Sequence, residues 1–148
     1  MSFVLPKFTP PDFSSEIFKN SREIRLGEVT KNGVAPSGFY LTSHMPAYYN
    51  HKNCWIIPKR NSQNCVAVLE SDEIVVKELN NLVVGDKVVL GKDASVENGI
   101  YVHKDGFDKS VVSEPGRFVE SSFTNDYDYL IELMRHEKEN GGHILWVL

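Results

Sequence analysis

The chain has 148 residues and a formal net charge of −4, with 41% hydrophobic and 24% charged residues. This length suits one domain, and the composition is typical of a globular protein. The negative charge argues against a nucleic-acid partner, because such proteins present a basic face. The sequence has no apolar run of membrane-spanning length and no secretion signal at its start, so we predict a cytoplasmic protein without a membrane segment.

Two cysteines, Cys54 and Cys65, lie eleven positions apart. Neither belongs to a C-x-x-C pair or to a zinc-finger spacing. A single disulfide is the alternative, but in a cytoplasmic protein we expect both thiols to be reduced, and their apolar surroundings in the sequence predict that both are buried. The histidines His44, His51 and His103 have no partner at the spacing of a short ligand motif, so no metal site is predicted.

The first two thirds of the chain predict an arm followed by short strands. Three prolines mark residues 1–21 as an extended arm, with one possible helical turn at 14–18. Residues 22–123 form a β-rich body, in which 44–52 is a structured loop and 107–123 is irregular. Alternation of polar and apolar residues predicts a strand at 23–29, and short β segments at regular spacing between turn signals predict strands at 54–58, 65–70, 73–78, 87–91 and 100–103.

The end of the chain, residues 124–148, predicts one helix and one strand. The helix begins near Asp126, carries an apolar stripe that includes Leu130 and Leu133, and ends at Gly141-Gly142. The apolar residues 143–148 then predict a buried terminal strand. We therefore expect residues 1–148 to form a single, mainly β domain of the α+β class, compact and β-barrel-like, with a C-terminal helix and a terminal strand.

No glycine-rich phosphate-binding motif occurs in the sequence. Gly141-Gly142 follows a helix, whereas a phosphate site needs glycines between a strand and the N-terminus of a helix. We therefore predict no cofactor.

The segment 33–49 is the most distinctive part of the sequence. It combines glycines, prolines, three tyrosines, hydroxyl groups and a histidine, which is the mixture that lines small-molecule pockets. Tyr40, Thr42, His44 and Tyr48 are the predicted ligand-binding residues, and His44 is the one candidate for acid–base catalysis. The alternative interpretation is a rigid loop whose Tyr and Pro side chains plug the end of a barrel.

The same segment carries a family resemblance. It contains Gly33-Val34-Ala35-Pro36-Ser37-Gly38-Phe39-Tyr40, Thr42-Ser43-His44 and Pro46-Ala47-Tyr48. This order resembles the conserved region named after the bifunctional lysine-ketoglutarate reductase/saccharopine dehydrogenase (LOR/SDH). The region also occurs in archaeal ornithine cyclodeaminases and in the C-terminal part of cyanobacterial arginine dihydrolases. Weaker matches continue in the same order to the end of the chain, and Met45 is an insertion relative to the family's pattern.

The resemblance implies a β-barrel-like domain that leads into an NAD-binding domain, but this chain ends where that domain would begin. We therefore expect the isolated chain not to be catalytic, and to be an accessory domain for an amino-acid-like or keto-acid ligand. It is expected to form a homo-oligomer. Two alternatives stay open: a small enzyme that uses His44 with a neighbouring Tyr or Glu, and a subunit that acts beside a separate NAD-binding polypeptide.

Overall fold

A computed structural model describes residues 7–106 and 124–147 of the chain. The chain divides into two compact units, Thr9–Gly106 and a second unit made of Met1–Phe8 with Phe107–Leu148. Within the described residues, no helix is both long enough and apolar enough to cross a bilayer.

The first unit consists of short strands and one turn of helix. The helical turn α1 spans Glu16–Lys19, and two 3-10 turns lie at Leu79–Asn81 and Val96–Asn98. The strands are β1 Arg25–Glu28, β2 Ala47–His51, β3 Cys54–Ile56, β4 Val66–Glu70, β5 Glu73–Lys77, β6 Lys87–Leu90 and β7 Ile100–Val102.

These strands form two antiparallel sheets. One has four strands in the order β1-β6-β4-β5, and the other has three in the order β3-β2-β7. The segment that precedes β2 is attached to the four-stranded sheet by single bridges, Phe39 to Leu90 and Leu41 to Val66. The α+β class is therefore confirmed, whereas the barrel-like description is not, because the described strands form two sheets instead of one closed ladder.

The core lies on both faces of the four-stranded sheet. On β4, Ala67 belongs to one apolar cluster while its neighbours Val66 and Val68 belong to another, since successive side chains point to opposite faces. The first cluster also contains Ala47 and Tyr49 of β2, so it joins the two sheets. The distinctive segment 33–49 therefore ends inside the core.

Strand β2 corrects the prediction of a loop at 44–52. Ala47, Tyr48, Tyr49 and Asn50 are all buried, because β2 is the central strand of its sheet and is covered on both faces. Such a strand has no alternation of polar and apolar residues, and the tyrosines and asparagine suggested a loop. The six strands predicted elsewhere are confirmed, with ends that coincide or differ by at most two residues.

The hairpin that joins β2 to β3 also corrects the prediction for Cys54. This residue is exposed because it begins β3 directly after the turn, whereas Cys65 is buried as predicted, and both thiols are free. The predicted helical turn is confirmed at Glu16–Lys19, with Ser15 at its N-cap position.

The second unit contains the predicted C-terminal helix, α2, over Thr124–Glu139. It ends as predicted before the glycine pair, where the N–H of Gly142 donates to the carbonyl of Glu137. The predicted terminal strand is wrong over residues 143–147: they pair with no strand among the described residues, and Leu145 and Val147 are highly exposed. A strand requires a hydrogen-bonded neighbour, which apolar composition alone does not supply. The irregular segment predicted at 107–123 lies outside the described residues.

Candidate functional site

Tyr40, the first predicted ligand-binding residue, lies in the core. Its side chain is almost fully buried, and its ring makes an edge contact with that of Tyr49, with 6.1 Å between the centroids. Its backbone N–H donates to the carbonyl of Val89. Burial raises the pKa of the Tyr40 phenol, and the hydroxyl of Ser43 offsets part of that rise. Tyr40 therefore packs between the two sheets.

Thr42 holds two segments of the backbone together. Its hydroxyl donates to the carbonyl of Ser62 at 2.5 Å and accepts from the N–H of Cys65 at 2.9 Å. Its own N–H donates to the carbonyl of Cys65, and its carbonyl accepts from the N–H of Asn64. With its side chain buried and its hydroxyl engaged twice, Thr42 fixes the start of the loop that carries His44.

His44 is presented to solvent by a well-supported loop. The side-chain amide of Asn61 donates to the carbonyls of Ser43 and Met45 at 3.1 and 3.0 Å, and the N–H of Met45 donates to the hydroxyl of Ser43. The imidazole itself is exposed and has no hydrogen-bond partner among residues 7–106 and 124–147. The loop therefore holds a fixed backbone and leaves one side chain able to donate or accept a hydrogen bond.

Tyr48 points to the opposite side of β2 from Tyr49. It pairs across the sheet with Tyr101, and its ring makes an edge contact with Phe13 of the arm at 5.1 Å. Burial, followed by the neighbouring phenol of Tyr101, raises the pKa of Tyr48. The fold thus separates the predicted residues into a core tyrosine, a buried backbone anchor, an exposed histidine and a tyrosine of a second aromatic group.

That second aromatic group is a feature that the sequence analysis missed. Phe13 and Phe18 of the arm pack against Trp55 of β3 and Tyr101 of β7. A cavity of about 320 Å³ lies beside it, lined by Phe13, Phe18, Lys19, Asn50, Asn53 and Trp55. The only signal in the sequence was the pair of phenylalanines in the arm, which a pattern search cannot assign to a particular partner sheet.

A surface ion cluster connects two hairpin turns. Nε2 of His51 lies 2.9 Å from one carboxylate oxygen of Asp72, and Nζ of Lys52 lies 2.6 Å from the other. The hydrogen bond from Lys52, followed by that from His51, lowers the pKa of Asp72. In the part of the chain that the structure describes, no three His, Cys, Asp or Glu side chains are placed to hold a metal ion.

Comparison with known proteins finds similarities in sequence and in structure. No protein-family profile matches the chain. In sequence, it is 29% identical over 70 residues to the ornithine cyclodeaminase of Archaeoglobus fulgidus, covering 47% of this chain and 17% of that protein. In structure, it is similar to a conserved LOR/SDH protein from Methanococcus maripaludis S2, with a TM-score of 0.61, 21% identity, and coverage of 81% of this chain and 38% of that one.

The arginine dihydrolase ArgZ, from the ornithine–ammonia cycle in cyanobacteria, is a further structural neighbour. Its apo structure matches with a TM-score of 0.51 and 25% identity, covering 58% of this chain and 13% of that chain. The fold of this chain, a small α+β fold, is therefore similar to that of a part of LOR/SDH-like proteins. The resemblance predicted from the sequence, to LOR/SDH-like proteins including ornithine cyclodeaminase, is confirmed. The chain spans at most 38% of the length of any of these three relatives.

Proposed function

We propose that this chain is a non-catalytic ligand-binding or accessory domain for an amino-acid-like or keto-acid molecule. Two of the relatives have names that state an amino-acid substrate, ornithine in one and arginine in the other. The similarity covers only a small part of each of those proteins, so their whole activities are not transferred to this chain. What we propose to be shared is recognition of the class of small molecule.

The observation that carries the proposal is the loop that presents His44. Hydrogen bonds from Asn61 and to Ser43 fix its backbone, so ordering the loop on binding costs little conformational entropy. The exposed imidazole offers one donor and one acceptor to a carboxylate or an amine. Met45, an insertion relative to the family's pattern, lies inside this fixed turn.

Nuclear magnetic resonance of the ¹⁵N-labelled chain tests the proposal. L-ornithine, L-arginine and their 2-oxo acids would be titrated, with shift changes expected at the amides of residues 42–45. His44→Ala should abolish these changes, while the control His143→Ala, which removes another exposed histidine, should leave them intact. Absence of any shift change in the loop, or equal binding by the His44 variant, would contradict the proposal.

A further inference from the structure

Strand β5 forms one edge of the four-stranded sheet. It pairs with β4 over its whole length, from Lys77 opposite Val66 to Glu73 opposite Glu70, and with no other segment of the chain that the structure describes. With five residues it is the longest edge strand of the two described sheets, since β1 has four residues and β3 and β7 have three each. Its outer side therefore presents a row of backbone groups to which another strand can pair.

The turn between β4 and β5 determines which backbone groups face outward. Ser71 and Asp72 both have positive φ, +46° and +68°, which identifies a two-residue type I′ hairpin. In such a hairpin the two residues that flank the turn exchange both of their backbone hydrogen bonds, and bonded pairs then alternate along the ladder. The N–H and C=O groups of Ile74 and Val76 therefore point away from β4. Within the described ranges, these groups have no hydrogen-bond partner.

Strand β5 lacks the features that usually prevent edge-to-edge pairing. Natural edge strands are protected by proline, by a bulge or by a charged side chain in the middle of the edge. In β5 there is no proline, the register with β4 is uninterrupted, and the central residues Ile74-Val75-Val76 are all apolar and β-branched. Its lysine, Lys77, lies at the end of the strand, where Glu70 and Asp86 hold the ammonium group. The centre of the strand is therefore suited to pairing.

The sequence of β5 is complementary to itself in one antiparallel register. If a twofold axis passes through Val75, Ile74 lies opposite Val76 of the other copy, and their outward N–H and C=O groups all gain a partner. In the same register Glu73 lies opposite Lys77 of the other copy. The carboxylate of Glu73 is available for this contact, because its ion pair with Lys59 is exposed and therefore weak. An axis at Ile74 or at Val76 would leave no glutamate of β5 opposite a lysine.

We propose that two copies of this chain associate through antiparallel pairing of β5 with β5, which joins their four-stranded sheets into one continuous sheet. The interface is isologous, since the same strand contributes from both copies. A strand of five residues is about 17 Å long, so the contact is smaller than a standard interface. The dimer is therefore reversible, with an expected dissociation constant of about 100 µM. The proposal does not depend on ligand binding at the His44 loop.

Sedimentation velocity of the full chain, from ~10 µM to ~1 mM, measures the association, and hydrogen exchange locates it. The amides of Ile74 and Val76 should exchange more slowly as the protein concentration rises. The amide of Val75, which already bonds to β4, should exchange at a rate that does not depend on concentration. Val76→Pro removes an outward N–H without removing a bond to β4, and should weaken dimerisation by about tenfold or more. Its control is Val76→Thr, which keeps the N–H and the branched shape and should dimerise like the parent chain.

A charge reversal tests the register and keeps the backbone intact, so it decides the outcome if Val76→Pro also lowers the melting temperature. Glu73→Lys places a lysine opposite Lys77 of the other copy and should weaken dimerisation by about tenfold. The control Glu23→Lys makes the same change of net charge at an exposed position outside β5 and should have no effect. The proposal is overturned if the chain is monomeric up to ~1 mM, if the exchange of Ile74 and Val76 does not depend on concentration, or if the two charge reversals act equally.

Discussion

The hydroxyl of Thr42 and the backbone of Cys65 are joined at 2.9 Å, with the N–H donating and the hydroxyl oxygen accepting. The backbone pairs the same two residues again, because the N–H of Thr42 donates to the carbonyl of Cys65 at 3.0 Å. The Thr42 hydroxyl in turn donates a hydrogen bond to the carbonyl of Ser62. One buried side chain thus fixes the loop that carries His44 to the start of β4.

Thr42→Val should destabilise the protein by about 1–3 kcal/mol, because it leaves the N–H of Cys65 and the carbonyl of Ser62 without a buried partner. Urea denaturation measures the change in the free energy of unfolding. Thr30→Val is the matched control, since Thr30 is exposed, and should stay within about 0.5 kcal/mol of the parent chain. Equal effects of the two substitutions would show that the Thr42 hydroxyl does not anchor the loop.

Gly99→Ala should destabilise the protein more than Gly38→Ala. Both glycines have positive φ, +74° and +78°, so both substitutions carry the same backbone strain of about 1 kcal/mol. At Gly99 an added Cβ would also lie 2.7 Å from the carbonyl oxygen of Arg22 and 2.8 Å from the nitrogen of Ile24, whereas at Gly38 it meets open space.

Thermal unfolding of the two glycine variants separates the effect of backbone strain from that of steric contacts with the added Cβ. The segment 22–24 is itself hydrogen-bonded to Asn50, so it cannot move away from an added methyl group without losing those bonds. The Gly99 variant should therefore have the lower melting temperature. A Gly38 variant that is equally destabilised would mean that positive φ alone accounts for both effects.

The two cysteines should react with a thiol reagent in two stages. Cys54 is exposed at the beginning of β3, and Cys65 is buried with its thiol directed at the carbonyl of Gln63. In the native protein, an aromatic disulfide reagent should modify one thiol per chain, and the second should follow only in denaturant. Cys54→Ser should abolish the first stage. Rapid modification of both thiols in the native state would contradict the burial of Cys65.

The ion cluster of Lys77, Glu70 and Asp86 should make stability depend on pH in two regions. Burial raises the pKa of Asp86, but the N–H of Val83 and the ammonium of Lys77 outweigh it and lower the pKa overall. Burial likewise lowers the pKa of Lys77, but Glu70 and Asp86 outweigh it and raise it. Because its pKa is lowered in the folded state, ionised Asp86 stabilises the fold at pH values above its usual pKa of 3.8. This contribution is lost as the pH falls through the folded-state pKa.

The contribution of Lys77 to stability depends on pH in the opposite direction. It is complete below the usual pKa of 10.5 and is lost as pH rises through the higher folded-state value. Asp86→Asn should lower the free energy of unfolding by about 1–3 kcal/mol at neutral pH. The difference from the parent chain should become smaller at both low and high pH. Chemical denaturation across pH, with Asp105→Asn as an exposed control, measures this. A difference that stays constant from acid to neutral pH would exclude Asp86 as the titrating group.

The regular strands were predictable because their signals are local. Strands β4 and β5 follow from short, mostly apolar segments bounded by turn residues, and the helix over Thr124–Glu139 follows from its apolar stripe and terminal glycines. Strand β2 was missed because its tyrosines and asparagine, which are buried in the fold, are also typical of an aromatic loop. The resemblance to LOR/SDH-like proteins was also visible in the sequence, since it depends on residue order alone.

The four predicted ligand-binding residues show which properties follow from residue order and which depend on the folded chain. By itself, the sequence determined that Tyr40, Thr42, His44 and Tyr48 lie close together along the chain and that their chemistry suits a small ligand. Only the tertiary structure decided their surroundings: Tyr40 and Thr42 face the interior, His44 faces solvent, and Tyr48 joins the aromatic group of the arm. The physical reason is that side-chain direction follows from sheet pairing, which brings together residues such as Phe13 and Trp55 that no local pattern connects.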